Sequence, residues 1–386
     1  MKKSTLIIKI VLTVIVAVVC PYISIVSLLL LSFGGFWGIT VVLSLFVVPL
    51  IIPIIWLKKR KVYSIIYASF VLGFFILCGT QLGIDAYNDS ITINVTPNIN
   101  IYEYLPFKED SNIVKIEAKD LSFKDVPKKE LPIIDGATAA FPVYSAFVHA
   151  LYPENTEIYD GVFEYNNTLG GYELLAQKKI DLFIGAYPSK EQIAFAKENK
   201  TTFDFTQIGS EAFVFFVHKD NPIDNLTLEQ IKDIYSGKIT NWSELGGENE
   251  KIVPFQRNEG SGSQSMFLRL MDGVDVLEPD KETLSDAMGG IIEKVADYKN
   301  KPTSIGFSFR YYVEGIIKNP DIKVIAVDGV APTKESIKNG TYPIIAPVYA
   351  VTYEGNPKEN VHKLIDWIVS EEGQYIIEET GYVGIK

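Results

Sequence analysis

Histidine, cysteine and one sign of charge are scarce in this chain, and each scarcity closes off a class of function. Among 386 residues there are three histidines. His149, His218 and His362 stand far apart with no second ligand at metal spacing, so no metal site is expected. The two cysteines, Cys20 and Cys78, lie inside apolar runs, which leaves everything after residue 78 without a thiol or a disulfide. Acidic residues are missing from positions 1–83, which hold seven basic ones: Lys2, Lys3, Lys9, Lys58, Lys59, Arg60 and Lys61. The remainder is short of basic residues instead, with 29 against 47 acidic and a net charge of −18. Nucleic acid is held by clustered Lys and Arg that neutralise phosphates, and this balance argues against such a partner.

Nucleotide and hydrolase signatures are missing too. No Lys-Ser or Lys-Thr pair follows Gly262 in the run Gly260-Ser261-Gly262-Ser263, as a phosphate-cradling nucleotide loop requires. Neither serine sits in a Gly-x-Ser-x-Gly frame, and no His or paired carboxylate stands near in sequence to act as a base. The chain is therefore not expected to be an enzyme; a phosphatase-like hydrolase would lack both its base and its metal.

What the chain does have begins with three apolar runs, at about residues 10–31, 37–57 and 62–82. Each reaches the roughly 20 residues that cross a hydrocarbon core, and none has the polar face of a soluble helix. Basic residues stay on the cytoplasmic side of a membrane. That rule puts Lys2 and Lys3 inside, the turn at Gly34-Gly35 outside, Lys58 to Lys61 inside again and everything after Leu82 outside. A cleaved signal peptide at the start would leave the second and third runs unexplained. Lipoprotein processing at Cys20 wants a small residue before it, where Val18 and Val19 stand. The sequence thus predicts a multi-pass cell-membrane protein with a cytoplasmic N-terminus and an extracellular domain.

Residues 84–131 are polar, mixed in charge and short of periodic runs, and read as a stalk with a few short strands. From 132 a βα rhythm sets in. Residues 132–134, 180–186, 212–218, 306–312 and 346–353 read as strands. Residues 142–151, 171–179, 189–199, 227–235 and 261–271 read as helices, that at 189–199 opened by a Ser189 cap. Alternation of this kind predicts α/β layers with largely parallel sheets, and its length predicts two lobes.

Three segments run from a strand end or loop through small or hydroxyl residues into a helix: 135–142 (DGATAAFP), 167–171 (NTLGG) and 257–263 (RNEGSGS). A helix start offers unpaired N–H groups and partial positive charge, which suits an anion. Thr138, Thr168, Ser261 and Ser263 add hydroxyls, and Arg257 adds a guanidinium fork. Singly, each is a common helix cap. Jointly they could replace a hydration shell that one arginine could not, without any basic surface.

These segments resemble the loops of the phosphate-binding proteins of phosphate ABC importers, within the periplasmic-type solute-binding proteins, and the likeness runs from about residue 131 to the end. GATAAFP is similar to the first phosphate loop of that family, which implies contacts from Thr138 and Ala139. NTLGG stands where the family has Ser-Ser-Gly-Gly, which implies Thr168. RNEGSGS is similar to Arg-x-Asp-Gly-Ser-Gly-Thr, which implies Arg257, Ser261, Gly262 and Ser263, with Glu259 steadying the arginine. Residues 226–247 (LTLEQIKDIYSGKITNWSELGG) resemble the family's second-lobe signature.

The resemblance implies a two-lobed, type II periplasmic-binding-protein-like α/β fold, here preceded by three transmembrane helices. Lobe 1 would comprise 132–214 and 350–386, and lobe 2 would comprise 215–349. It also implies binding of phosphate or a related oxyanion, no cofactor, and delivery to ABC permease subunits; a membrane-anchored anion sensor or adaptor is the alternative. One departure stands out. Ala186 occupies the place of the family's aspartate that accepts the proton of hydrogen phosphate, and Glu164, Asp135 or Tyr187 would have to supply an acceptor instead.

Overall fold

The computed structural model describes residues 99–385 apart from 280–282, 286–287 and 298–301, together with scattered positions between 4 and 72. The chain divides into two compact units, Met1–Ser90 and Ile91–Lys386. Among the described residues no helix is long and apolar enough to cross a membrane, and most of the expected spans at 10–31, 37–57 and 62–82 lies outside the described residues.

The second unit is organised by strands β1 (Ile134–Gly136), β2 (Leu182–Gly185), β3 (Phe203–His218), β4 (Val253–Pro254), β5 (Ser304–Phe309), β6 (Ile322–Val324), β7 (Ile345–Tyr353) and β8 (Val383–Gly384). They pair along the path β1-β2-β7-β3-β5-β4, with β8 and β6 also on β3. At sixteen residues β3 spans roughly 50 Å. Its first part, Phe203–Ala212, pairs antiparallel with β7. Its second part, Phe213–Val217, pairs antiparallel with β5. One strand therefore enters two lobes, and the change of partner falls between Ala212 and Phe213. The run from Ala212 to Val217 is wholly buried, as an apolar segment flanked by strands on both sides must be.

Three expectations are corrected. The sheets are mixed, because a chain that crosses between lobes and returns lays its two crossing strands antiparallel. The first lobe resumes near residue 345 and not 350, since all of Ile345–Tyr353 pairs with the first-lobe part of β3. The segment expected as a stalk is no stalk over its described part: Ile99, Ile101, Ile113, Phe123 and Leu131 are buried in the main core, and Phe123 N–H donates to Leu151 O at 2.8 Å. Only short 3-10 turns form there, at Ile101–Glu103 and Lys128–Glu130. These apolar residues follow no helical or strand period, so pattern reading passes over them.

Helices α1 (Phe141–Leu151), α2 (Asn167–Ala176) and α3 (Lys190–Glu198) flank the first lobe's strands, and α4 (Leu228–Tyr235) and α5 (Gly262–Leu270) belong to the second. The cap at Ser189 is a full capping box with Gln192, and Thr227 forms another with Gln230. Each satisfies two N–H groups that a helix start leaves without partners.

The second lobe is held by stacked rings. Phe307 on β5 lies flat on Phe267 of α5, with centroids 4.4 Å apart and 8° between planes, and it also meets Phe213 and Tyr235. Phe307→Ala should lower unfolding stability by about 3–5 kcal/mol, the usual cost of emptying a fully buried aromatic site. Urea denaturation of the full-length protein reads this directly, and a loss under about 1 kcal/mol would contradict a shared core.

Candidate functional site

One carboxylate lock and one carboxamide lock fix the helix-start segments, the first joining two of them and the second holding the third to its own helix. At the end of β1 the buried Asp135 accepts from its neighbour Gly136 N at 2.7 Å, from Asn166 N at 3.0 Å and from Asn166 Nδ2 at 2.8 Å. This draws the loop before α2 against the loop after β1. Asn167 then takes a left-handed backbone, φ 54°, which asparagine tolerates better than most residues. Its side chain accepts from Leu169 N at 3.0 Å and so opens α2 with Thr168 in the first turn. Burial lifts Asp135 to about pH 6 against the pull of these three donors.

In the second lobe the lock is Gln264. Its Oε1 accepts from Arg257 N at 2.9 Å, and its Nε2 donates to Gln256 Oε1 at 3.0 Å. The short strand Gln256–Arg257 is thereby fixed to the first turn of α5. Arg257 is buried, with Nη1 3.3 Å from Ser263 Oγ. The Ser261 hydroxyl is engaged differently: it caps α5 by accepting from Gln264 N at 3.2 Å.

The two lobes meet at these segments. A Cβ added to Gly262 would lie 3.2 Å from Thr168 Oγ1, and one added to Gly260, whose φ is +79°, would lie 2.9 Å from Leu169 Cδ1. Glycine is required at 260 by its backbone and by this approach. Gln192 Nε2 donates to Thr168 O at 3.2 Å and lies 3.4 Å from Gly260 O. Arg269 of the second lobe also covers the ring of Tyr187 of the first at 4.8 Å.

Between the lobes lies a small cavity that opens to solvent. From the expected set, Ala139 and Thr168 line it from the first lobe and Gly262 from the second. Thr138, Arg257, Ser261 and Ser263 are not part of this lining; Thr138 Oγ1 instead lies 3.1 Å from Tyr165 Oη. Ala186 is in the wall, while Glu164, Asp135 and Tyr187, the acceptors expected in its place, are not. Glu259 is exposed.

Residues 132–372 match the PBP superfamily domain. The chain belongs to the PBP superfamily. Among its relatives, a phosphate-binding protein PstS from Borreliella burgdorferi is 30% identical over 187 residues, 47% of this chain and 66% of that protein. Another from Bacillus subtilis is 28% identical over 171 residues, 44% of this chain and 53% of that protein. The match thus spans between about half and two thirds of these relatives' lengths. The solved structure of a phosphate ABC transporter substrate-binding protein with bound phosphate, from Clostridium perfringens, superposes with a TM-score of 0.53 at 28% identity. It covers 66% of this chain and 98% of that one. An ABC-type phosphate transport receptor from Vibrio cholerae, at 22% identity, a TM-score of 0.50 and coverage of 65% and 98%, shows likeness of fold alone.

Within this PBP fold the wall residue that motif reading missed is Glu211, one residue before β3 changes lobes. It is buried, accepts from Ala212 N at 2.8 Å and Tyr311 N at 2.9 Å, and lies 3.2 Å from Arg310 Nε. A single charged residue heading the apolar run EAFVFFVH was its one signal in the sequence.

Asp135 gives the site a measurable signature. Its folded-state value lies above its ordinary value of 3.8. Over about pH 4 to 6 the folded protein holds a proton that the unfolded chain has released, and stability falls as pH rises through that window. Asp135→Asn should remove this slope, so that the stability difference, variant minus wild type, grows by up to about 3 kcal/mol between pH 4 and 7. A flat difference across denaturation curves at several pH values would contradict the assignment.

Proposed function

We propose that the domain after residue 98 binds a small tetrahedral oxyanion, phosphate in the first place, and delivers it to ABC permease subunits. One observation carries the reading. A single interlobe cavity takes Ala139 and Thr168 from one lobe and Gly262 from the other, while Arg257 is fixed beside the same helix start as Gly262. Thr138, Ser261 and Ser263 flank these residues in sequence and complete the proposed donor set once an anion draws them in. An anion leaving water needs several directed donors, and helix starts plus one guanidinium supply them. The phosphate-bound relative from Clostridium perfringens and the PstS proteins support phosphate as the ligand.

Ligand bound between lobes stabilises their closed arrangement by the contacts it makes with both at once. The contacts of Gly260 with Leu169 and of Arg269 with Tyr187 are of the kind that closure brings about. A permease would then read the closed form.

The apolar runs at 10–31, 37–57 and 62–82 are proposed as membrane spans, holding the binding domain outside the cell and close to its permease, where a tether raises effective concentration. Three runs exceed what an anchor needs, and that excess favours the second reading, an anion sensor or adaptor. Loss of a delivering protein slows phosphate uptake in a deletion strain, whereas loss of a sensor leaves uptake per transporter unchanged.

Arg257→Ala should weaken phosphate binding at least 100-fold in calorimetric titration of the full-length protein, because a desolvated charged partner is lost. Affinity within threefold of wild type would mean that the pocket is elsewhere. Protease added to intact cells should digest the domain and spare an N-terminal tag; a protected domain would refute the proposed topology.

A further inference from the structure

We propose that Glu211 selects a protonated oxyanion, accepting the hydrogen bond of its O–H group in place of a carboxylate at position 186. This rests on the oxyanion reading above. Glu211 and Ala186 line the same cavity as Ala139, Thr168 and Gly262. Tyr382, also in the wall, donates its hydroxyl to Ala139 O at 2.8 Å and ties the Glu211 side of the cavity to the first helix-start segment.

The carboxylate has acceptor capacity to spare. Two oxygens offer about four lone-pair positions. Ala212 N and the Arg310 guanidinium approach Oε1, and Tyr311 N donates to Oε2, which leaves one position on Oε2. Arg310 is itself fixed, with Nη2 donating to Gly381 O at 2.6 Å.

An oxyanion that carries a proton can donate into that position. A fully deprotonated one such as sulfate presents only lone pairs to a like charge in a poorly hydrated site, which is costly. Selectivity then depends on the charge state of Glu211. Burial lifts it to about pH 7, with Arg310 and the two N–H donors pulling the other way and Glu314 adding to the rise. The other titratable groups facing it are the phenols of Tyr311 and Tyr382, which burial holds neutral. Strand β7 presents only Ala346, Pro347 and Val348 to the cavity. Above about pH 7 the group is an acceptor that rejects sulfate; below it, the carboxylic acid donates to either anion. Inorganic phosphate keeps at least one proton on both sides of this value.

The test is calorimetric titration of full-length wild type and Glu211→Gln with phosphate and with sulfate, at about pH 8 and about pH 6. In wild type the phosphate-to-sulfate affinity ratio should fall at least tenfold from the higher pH to the lower. In Glu211→Gln it should already be at least tenfold lower at pH 8 and should not change with pH. A wild-type ratio that is constant with pH overturns the inference, even where the variant fails to fold. So does a variant ratio within twofold of wild type at pH 8. Wild-type protein that binds neither anion overturns the oxyanion reading itself, and this inference with it.

Discussion

Everything in the binding domain depends on β3 remaining one strand while its partners change. A strand that pairs with β7 up to Ala212 and with β5 from Phe213 cannot be moved in one lobe without bending at that junction. Phe213 N–H donates to Ile344 O at 2.9 Å, so the outgoing and returning crossings are joined where they pass between lobes. The cavity sits against this double crossing, and Ala346, Pro347 and Val348 of β7 form part of its floor. Relative motion of the lobes would have to flex these two hydrogen-bonded strands at their junction.

That constraint demands that the loops themselves be rigid, and each lobe meets the demand with one buried polar side chain. Asp135 ties Asn166 to the end of β1, and Gln264 ties Gln256–Arg257 to α5. Both act on backbone N–H groups as well as side chains, so they fix the course of the chain rather than a single rotamer. A helix start is useful to a ligand only if its amides point to a place that other elements also reach, and these two residues decide where that place is.

Much of this was legible in the sequence. The helices at 141–151, 190–198, 228–235 and 262–270 follow from apolar spacing, with Ser189 as the cap of one of them, and the central strand follows from AFVFFVH. The three loops could be named because a hydroxyl-rich helix start has a local signature. What escaped was what is not local. The burial of 99–131 rests on single apolar residues without a period, each meeting a distant partner, as Phe123 meets Leu151. The antiparallel crossings depend on topology, which composition does not encode. Glu211 escaped because a lone glutamate before an apolar strand looks like its polar boundary, whereas it is 1% exposed.

The charge balance of the domain follows from the same geometry. With a net charge of −18 beyond residue 83, its long-range field repels anions. That field is screened within about 10 Å in salt, whereas donors inside a cleft act at contact distance in poorly hydrated surroundings. The few cations near the cleft are also distributed by role. Arg257 stands at the α5 start beside Ser263, and Arg310 is turned to Glu211 and Gly381. Arg269 is engaged with the Tyr187 ring. One guanidinium thus stands beside the proposed anion site while another pairs with the buried Glu211 carboxylate, so a bound anion would be selected by hydrogen-bond direction more than by net charge.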